Sequence, residues 1–241
     1  MRTSLVKLVD RREVAERTLA FRFEKPVGFT FKAGQYLILT LVDPPETDAE
    51  GNVRTFSIAS APEEDTLMVA TRMRDTAFKR VAGRMPIGTE VRLEGPYGNL
   101  TLHPDAGRPA VFLAGGIGIT PFRSLLLHAA RARLPQRLVL FYANWRPEDA
   151  AFLDELQTLQ RDNPRYTFIG TMTAMERSHR SWQGETGIFT PAMLGKVVAK
   201  DARPIYYVAG PPGMVSGVEG MLKNSMGVTA ADIRTEKFAG Y

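Results

Sequence analysis

The chain has 241 residues, a formal net charge of +5 and no cysteine. That length holds one large domain or two compact ones. The missing cysteine excludes disulfides and any Cys-ligated iron–sulfur or zinc site in this chain, and His103, His128 and His179 are scattered without metal-ligand spacing. No apolar run approaches the roughly 18 residues of a membrane span. Residues 1–20 interleave charged and apolar positions and carry no secretory signal, so a cytoplasmic protein is expected. The basic residues are dispersed among acids, without the cationic stripe and interleaved aromatics of a nucleic-acid surface.

Residues 1–102 read as all-β. The runs 4–14, 18–25, 35–42, 54–60, 66–73 and 90–98 are short and bounded by Gly, Pro or Asp, the pattern of an antiparallel barrel or sandwich. Between them "DPPETDAEGN" (43–52) reads as a solvated, mobile loop. After "HPDAGRP" (103–109) the periodicity changes. "AVFLAG" (110–115), "RLVLFYAN" (137–144), "RYTFIGTMT" (165–173), "PIYYVAG" (204–210) and "DIRTEKFA" (232–239) read as strands. They alternate with helices expected over 121–133, 147–160, 190–199 and 212–226. In the helix over 147–160, Phe152, Leu153, Leu156 and Leu159 share a face. Strand–helix alternation with apolar strands implies a doubly wound parallel sheet covered on both faces. Two domains are therefore expected: a β-barrel over 1–105 and an α/β domain over 106–241.

Two turns of the second half carry chemistry. In "LAGGIGITP" (113–121) an apolar strand ends at Gly115, Gly116 and Gly118, and Thr120 and Pro121 are expected to cap and open a helix. Such glycines permit a tight turn and close backbone approach, and a helix N-terminus offers free N–H groups to a phosphate. "AGPPGM" (209–214) repeats the arrangement with Gly210, Pro211 and Met214. In one parallel sheet both turns lie at the carboxyl edge of the strands, where a dinucleotide spans the switch point.

The stretch "VRTFSIAS" (53–60) places Arg54 and Phe56 on one face of a strand and Thr55 and Ser57 on the other. By itself the pattern also describes an exposed arginine on a half-buried strand. Its order relative to the rest is more telling: "RTFS", then "GPYG" (95–98), then "GGIGITP", then "AGPPGM" resembles the ferredoxin–NADP reductase family over nearly the whole chain. The resemblance implies a flavin-binding barrel followed by a nicotinamide-dinucleotide domain, with FAD as cofactor. It implies that Arg54 holds the flavin phosphates, that Phe56 packs on the flavin and that Thr55 lies in the same segment. It puts Ser57 near the reactive ring nitrogen. "TRMRDTAF" (71–78), with Arg72, Met73 and Thr76, would be a second phosphate segment, although the family's glycine-rich form is missing. Gly115, Gly116 and Gly118 would face the coenzyme pyrophosphate. Thr120, Pro121, Gly210, Pro211 and Met214 would lie toward the nicotinamide, with Ala209 where many members have cysteine. In the tail "EKFAGY", Glu236, Phe238 and Tyr241 are candidates to lie over the flavin.

The activity so implied is hydride transfer between NAD(P)H and the flavin, followed by electron transfer to a separate acceptor such as ferredoxin or flavodoxin. Ser57, Thr120 and Glu236 are the catalytic candidates. At the end of the second parallel strand, "YANWRP" offers no acid before Glu148. Arg146 is then the candidate reader of a 2′-phosphate, which favours NADPH over NADH, with Arg177 and Arg180 as further candidates. Lys32, Arg84 and Arg92 would suit an acidic carrier. The alternatives are a free-flavin reductase and a non-catalytic electron-transfer or sensor module. Oligomeric state is not encoded in any of these patterns.

Overall fold

Alternating burial along the first strands turns one face of each toward a common apolar core. The computed structural model describes residues 2–199 and 202–238. β1 (Arg2–Ala15), β2 (Thr18–Glu24), β3 (Tyr36–Leu41), β4 (Val53–Ser57), β5 (Thr66–Arg72) and β6 (Glu90–Tyr97) form a six-stranded antiparallel sheet in the order β4-β3-β6-β1-β2-β5. Leu37, Leu39 and Leu41 of β3 point inward while Tyr36, Ile38 and Thr40 alternate with them, the period expected when one face is buried. No ladder joins the end strands β4 and β5. They meet just beyond β4, where Ala59 N–H donates to the Met68 carbonyl at 2.7 Å and Met68 N–H to Ser60 Oγ at 3.0 Å. The reading of this half as all-β is corrected by α1 (Ala77–Arg84), an amphipathic helix whose Phe78, Val81 and Ala82 plug the barrel. Thr76 caps it, its Oγ1 accepting from Lys79 N–H.

The second sheet is parallel throughout. β7 (Ala110–Gly115), β8 (Leu138–Asn144), β9 (Tyr166–Met172), β10 (Glu185–Thr186), β11 (Ile205–Gly210) and β12 (Ile233–Lys237) lie in the order β10-β9-β8-β7-β11-β12. β7 and β11 are buried along their whole length, as expected for strands covered on both faces. α2 (Ile119–Arg131) and α3 (Leu153–Asp162) pack on one face; α4 (Pro191–Gly195) and α5 (Pro212–Met226) pack on the other.

Three helix expectations need correction. The segment 147–160 divides into a 3₁₀ turn at Pro147–Asp149 and α3, because Phe152 adopts a left-handed φ of 60°. Phe152, Leu153, Leu156 and Leu159 are all buried nonetheless. The expected 190–199 helix is the five-residue α4, capped by Thr190. Thr120 is not a cap: α2 begins at Ile119 after Gly118, and the Thr120 hydroxyl donates back to the Ile117 carbonyl at 3.1 Å, bracing the glycine turn. The last strand is Ile233–Lys237, shorter than the expected 232–239.

The sheets are joined by a polar seam. Arg123 of α2 is 2% exposed; it pairs bidentately with Glu155 at 2.6 and 2.7 Å and donates to the Ala59 carbonyl at 2.6 Å. It also reaches Glu64 at 3.3 Å. Its neighbour Ser124 donates to the Ser60 carbonyl at 2.6 Å. Around this seam Ala59, Ala61 and Met68 pack into the same apolar cluster as Phe112, Leu126 and Tyr142. Among the described residues no helix is long and apolar enough to cross a membrane.

Candidate active site

The order of the parallel sheet reverses at β7: the chain moves from β7 to β8 and β9 on one side, then returns to β11 on the other. The carboxyl ends of β7 and β11 are therefore a topological switch point. Both carry the glycine turns. A side chain at Gly210 (φ 153°) would run into Gly115 backbone, and one at Gly115 into Pro211 and Met214. A methyl at Gly118 would overlap the Ala209 carbonyl, so α2 starts hard against β11. Gly116, at φ 53°, instead faces open space. Neither α2 nor α5 has a side-chain cap; the first N–H of α2, that of Ile119, turns back to the Gly116 and Ile117 carbonyls, while the start of α5 is open to an outside acceptor. Pro121, Pro211 and Pro212 contribute no N–H, so in α5 the first available donors are Gly213 and Met214.

The antiparallel sheet brings its own end to this crevice. Ser57, the buried last residue of β4, donates through Oγ to Glu236 Oε1 at 3.4 Å. Glu236 is held in place because β12 pairs in parallel with β11, Ala209 opposite Glu236 and Gly210 opposite Lys237. Phe238 N–H then donates to the Gly210 carbonyl at 3.0 Å. Burial raises the Glu236 pKa to about 7, against a smaller lowering from the Ser57 hydrogen bond. A cavity of about 650 Å³ opens beside Glu236, lined by Tyr36, Asn99, Thr101 and Arg234 among others. A second hollow of about 390 Å³ shares Gly98, Asn99 and Thr101 and reaches Lys32. Arg234 is fixed by donation to the Thr101 carbonyl at 2.6 Å and lies over the Tyr207 ring.

The other candidates fall into separate groups. Arg54 reaches α1: its guanidinium lies 5.0 Å from the Phe78 ring centroid, and Phe56 packs on the same ring. Thr55 is exposed on the opposite face of β4. Arg72 ends β5 and Met73 follows it. Arg72 donates to the Asp149 carbonyl at 3.1 Å and stacks over Trp145, and Met73 N–H donates to the Arg17 carbonyl. Arg146 is committed to two carboxylates, Glu16 at 2.5 Å and Asp149 at 2.9 and 3.0 Å. Arg177 and Arg180 sit on a neighbouring loop whose backbone is pinned by Glu148; their side chains are exposed. Lys32, Arg84 and Arg92 are exposed but belong to a loop, the end of α1 and the outside of β6. Tyr241 lies outside the described residues. Sequence reasoning missed Tyr36, Asn99, Lys79 and Arg234. It also took the 43–52 loop as mobile, whereas its carboxylates are tied down: Glu46 to Arg80, Asp48 to the Ala77 N–H and Glu50 to Arg54.

A barrel plugged by one helix, docked on a parallel sheet with two glycine turns at its switch point, is the framework of a two-domain dinucleotide-dependent oxidoreductase. Residues 112–220 match the oxidoreductase NAD-binding domain. Ferredoxin–NADP reductase B of Sorangium cellulosum is 30% identical over 230 residues, covering 92% of this chain and 91% of that protein. The chain belongs to the ferredoxin–NADP reductase family. It is also 26% identical over 234 residues to the glycine betaine monooxygenase reductase subunit of Chromohalobacter salexigens, of which it spans 62%. A ferredoxin NADP⁺ reductase of Neisseria gonorrhoeae, solved with bound FAD and NADP, superposes with a TM-score of 0.79 at 22% identity, covering 98% of this chain and 99% of that one.

Proposed function

We propose that the protein is an NAD(P)H-dependent flavoprotein reductase that holds FAD along β4 and α1 and passes electrons to a separate protein acceptor, a ferredoxin or flavodoxin. The observation that carries this is the Ser57–Glu236 hydrogen bond, which joins the end of the "RTFS" strand to the strand beside the Gly210 turn. The residues present fit the cofactor. Arg54 and the start of α1 carry charged and backbone donors of the kind a phosphate takes, held here by the Glu50 and Asp48 carboxylates, and Phe56 supplies an aromatic surface. FAD supplies the group that accepts a hydride from NAD(P)H and releases electrons afterwards. The chain's part is positioning and proton handling. The turns at Gly115–Gly118 and Gly210–Met214 take the coenzyme pyrophosphate and hold the nicotinamide end toward Ser57. Thr120 keeps the first turn in shape. Glu236, about half protonated at pH 7, exchanges a proton with Ser57 Oγ and passes it to the adjoining cavity.

NADPH is proposed as the reductant, following the Sorangium relative's name. Arg177 and Arg180, rather than the doubly paired Arg146, are then the readers of the 2′-phosphate. The flavin and dinucleotide parts are assigned to residues 1–105 and 106–241. The test is a visible spectrum of the purified protein followed by anaerobic titration with NADPH and with NADH. A flavin spectrum bleached by one equivalent of NADPH is expected; a colourless protein that neither takes up FAD nor oxidises either coenzyme defeats the proposal.

A further inference from the structure

Three cations converge where β4 meets α1. Arg54 is one. Arg74, in the turn before the helix, is another. The third is Lys79, buried to 7% exposure with Nζ donating to the Arg72 carbonyl at 2.7 Å. Desolvation, followed by the charges of Arg74 and Arg54, lowers the Lys79 pKa to about 8. This concentration of positive charge is met by carboxylates of one loop. Glu50 Oε2 accepts from Arg54 Nη2 at 2.7 Å, and Asp48 Oδ2 accepts at 2.7 Å from the N–H of Ala77, the first residue of α1. Asp48 Oδ1 takes the Glu50 N–H at 3.0 Å, tying the two acids together. Arg54 Nη1 is further occupied by the carbonyls of Glu50, Gly51 and Val53 at 2.9, 3.2 and 2.7 Å. Glu46 anchors the start of the loop by a fork on Arg80.

A carboxylate and a phosphate seek the same donors: a guanidinium edge and the N–H groups of a helix start. Here those donors, on Arg54 and on α1, are engaged by the chain itself. Like charges within hydrogen-bonding distance repel, so a phosphate cannot sit on these donors beside Asp48 and Glu50. We propose that residues 46–50 are an internal anion that competes with the flavin's phosphates for Arg54 and the start of α1, so that FAD binds by displacing the Asp48 and Glu50 carboxylates and exchanges readily. This rests on the assignment of Arg54 and α1 to the flavin phosphates. Flavin affinity is then set by two acids that never touch the flavin ring.

The test compares the full-length protein with the Asp48→Asn/Glu50→Gln double variant, titrating FAD and phosphate-free riboflavin and following flavin fluorescence. Both substitutions are at the surface and preserve shape. Losing one helix-end carboxylate and one exposed ion pair should tighten FAD about tenfold and leave riboflavin unchanged, the FAD gain shrinking as salt rises. FAD affinity that is unchanged or weaker in the variant overturns the proposal, as does an equal gain for riboflavin. Arg54→Ala, run in parallel, separates the two levels. If it weakens FAD while the double variant does not tighten it, the competition fails and the phosphate assignment stands. If it leaves FAD unaffected, the assignment itself fails. In the unaltered protein, saturating FAD should speed hydrogen exchange at the Glu50 N–H, which donates to the Asp48 carboxylate; unchanged protection there also overturns the proposal.

Discussion

Replacing Glu236 by Gln isolates the electrostatic cost of placing a carboxyl at the crevice. Gln keeps an oxygen that can accept from Ser57 but cannot ionise. In the folded protein burial raises the Glu236 pKa from 4.5 to about 7. Between those values the folded state holds a proton that the unfolded chain releases, so stability falls as pH rises across that window and is level above it. Each pKa unit corresponds to about 1.4 kcal/mol, so ionisation of Glu236 costs the folded protein about 3 kcal/mol above neutral pH. The Gln variant escapes this cost. Urea unfolding of flavin-saturated parent and variant at pH 5 and at pH 8 is the assay. The stability of the variant relative to the parent should improve by about 2–3 kcal/mol on going from pH 5 to pH 8. An unchanged difference between the two pH values would show that Glu236 titrates as an ordinary carboxyl and is not confined as described. The same substitution should flatten the pH dependence of hydride transfer near neutrality if the Ser57–Glu236 pair handles a proton.

Arg123→Met should destabilise the protein by about 1–3 kcal/mol in urea titration, because it leaves the Ala59 carbonyl without its donor and takes the buried cation from Glu155, while Glu64 keeps Arg22; a loss under about 0.5 kcal/mol would contradict the seam described. Gly118→Ala should cost about 1–3 kcal/mol, since a methyl there overlaps the Ala209 carbonyl, and should raise the KM for the coenzyme. Gly217→Ala, in the middle of α5 with open space around it, should instead stabilise by about 0.5–1 kcal/mol, read as a higher Tm. Arg146→Ala should affect NADPH and NADH alike, because its guanidinium is spent on Glu16 and Asp149, whereas Arg180→Ala should raise the KM for NADPH alone; steady-state kinetics with both coenzymes separates these outcomes.

Much of this architecture is legible in the chain. The continuous apolar runs 110–115 and 204–210 announce buried parallel strands, and the glycines that follow them mark the switch point. The short alternating strands of the first half announce an antiparallel sheet. What failed to show has physical reasons. α1 is only eight residues long, shorter than a pattern search can separate from a strand's end. The break before α3 depends on one left-handed residue, Phe152, a non-glycine that gives no local warning. Thr120 looks like a cap from its place before Pro121, yet the helix starts two residues earlier, at Ile119, where Gly118 approaches Ala209 closely. Ser57 and Glu236 were singled out separately, but their meeting depends on how the sheets dock. So does Arg146, whose partner Glu16 is 130 residues away. Lys79 and the acids of 43–52 were passed over because surface-like composition conceals what a loop's carboxylates are tied to.

The hydrogen bonds from Arg123 and Ser124 to the carbonyls of Ala59 and Ser60 have a bearing on modularity. They tie the helix that follows one glycine turn directly to the segment that follows "RTFS". Two halves that look interchangeable on paper thus share a fitted joint, made of main-chain acceptors on one side and side-chain donors on the other. A hybrid taking its first half from one relative and its second from another would inherit acceptors whose positions its donors were not shaped to meet. The spacing between the two reacting rings would then drift even with every motif intact. Recombination in such proteins should succeed where residues 59–64 travel together with 123 and 124, and fail where the crossover parts them.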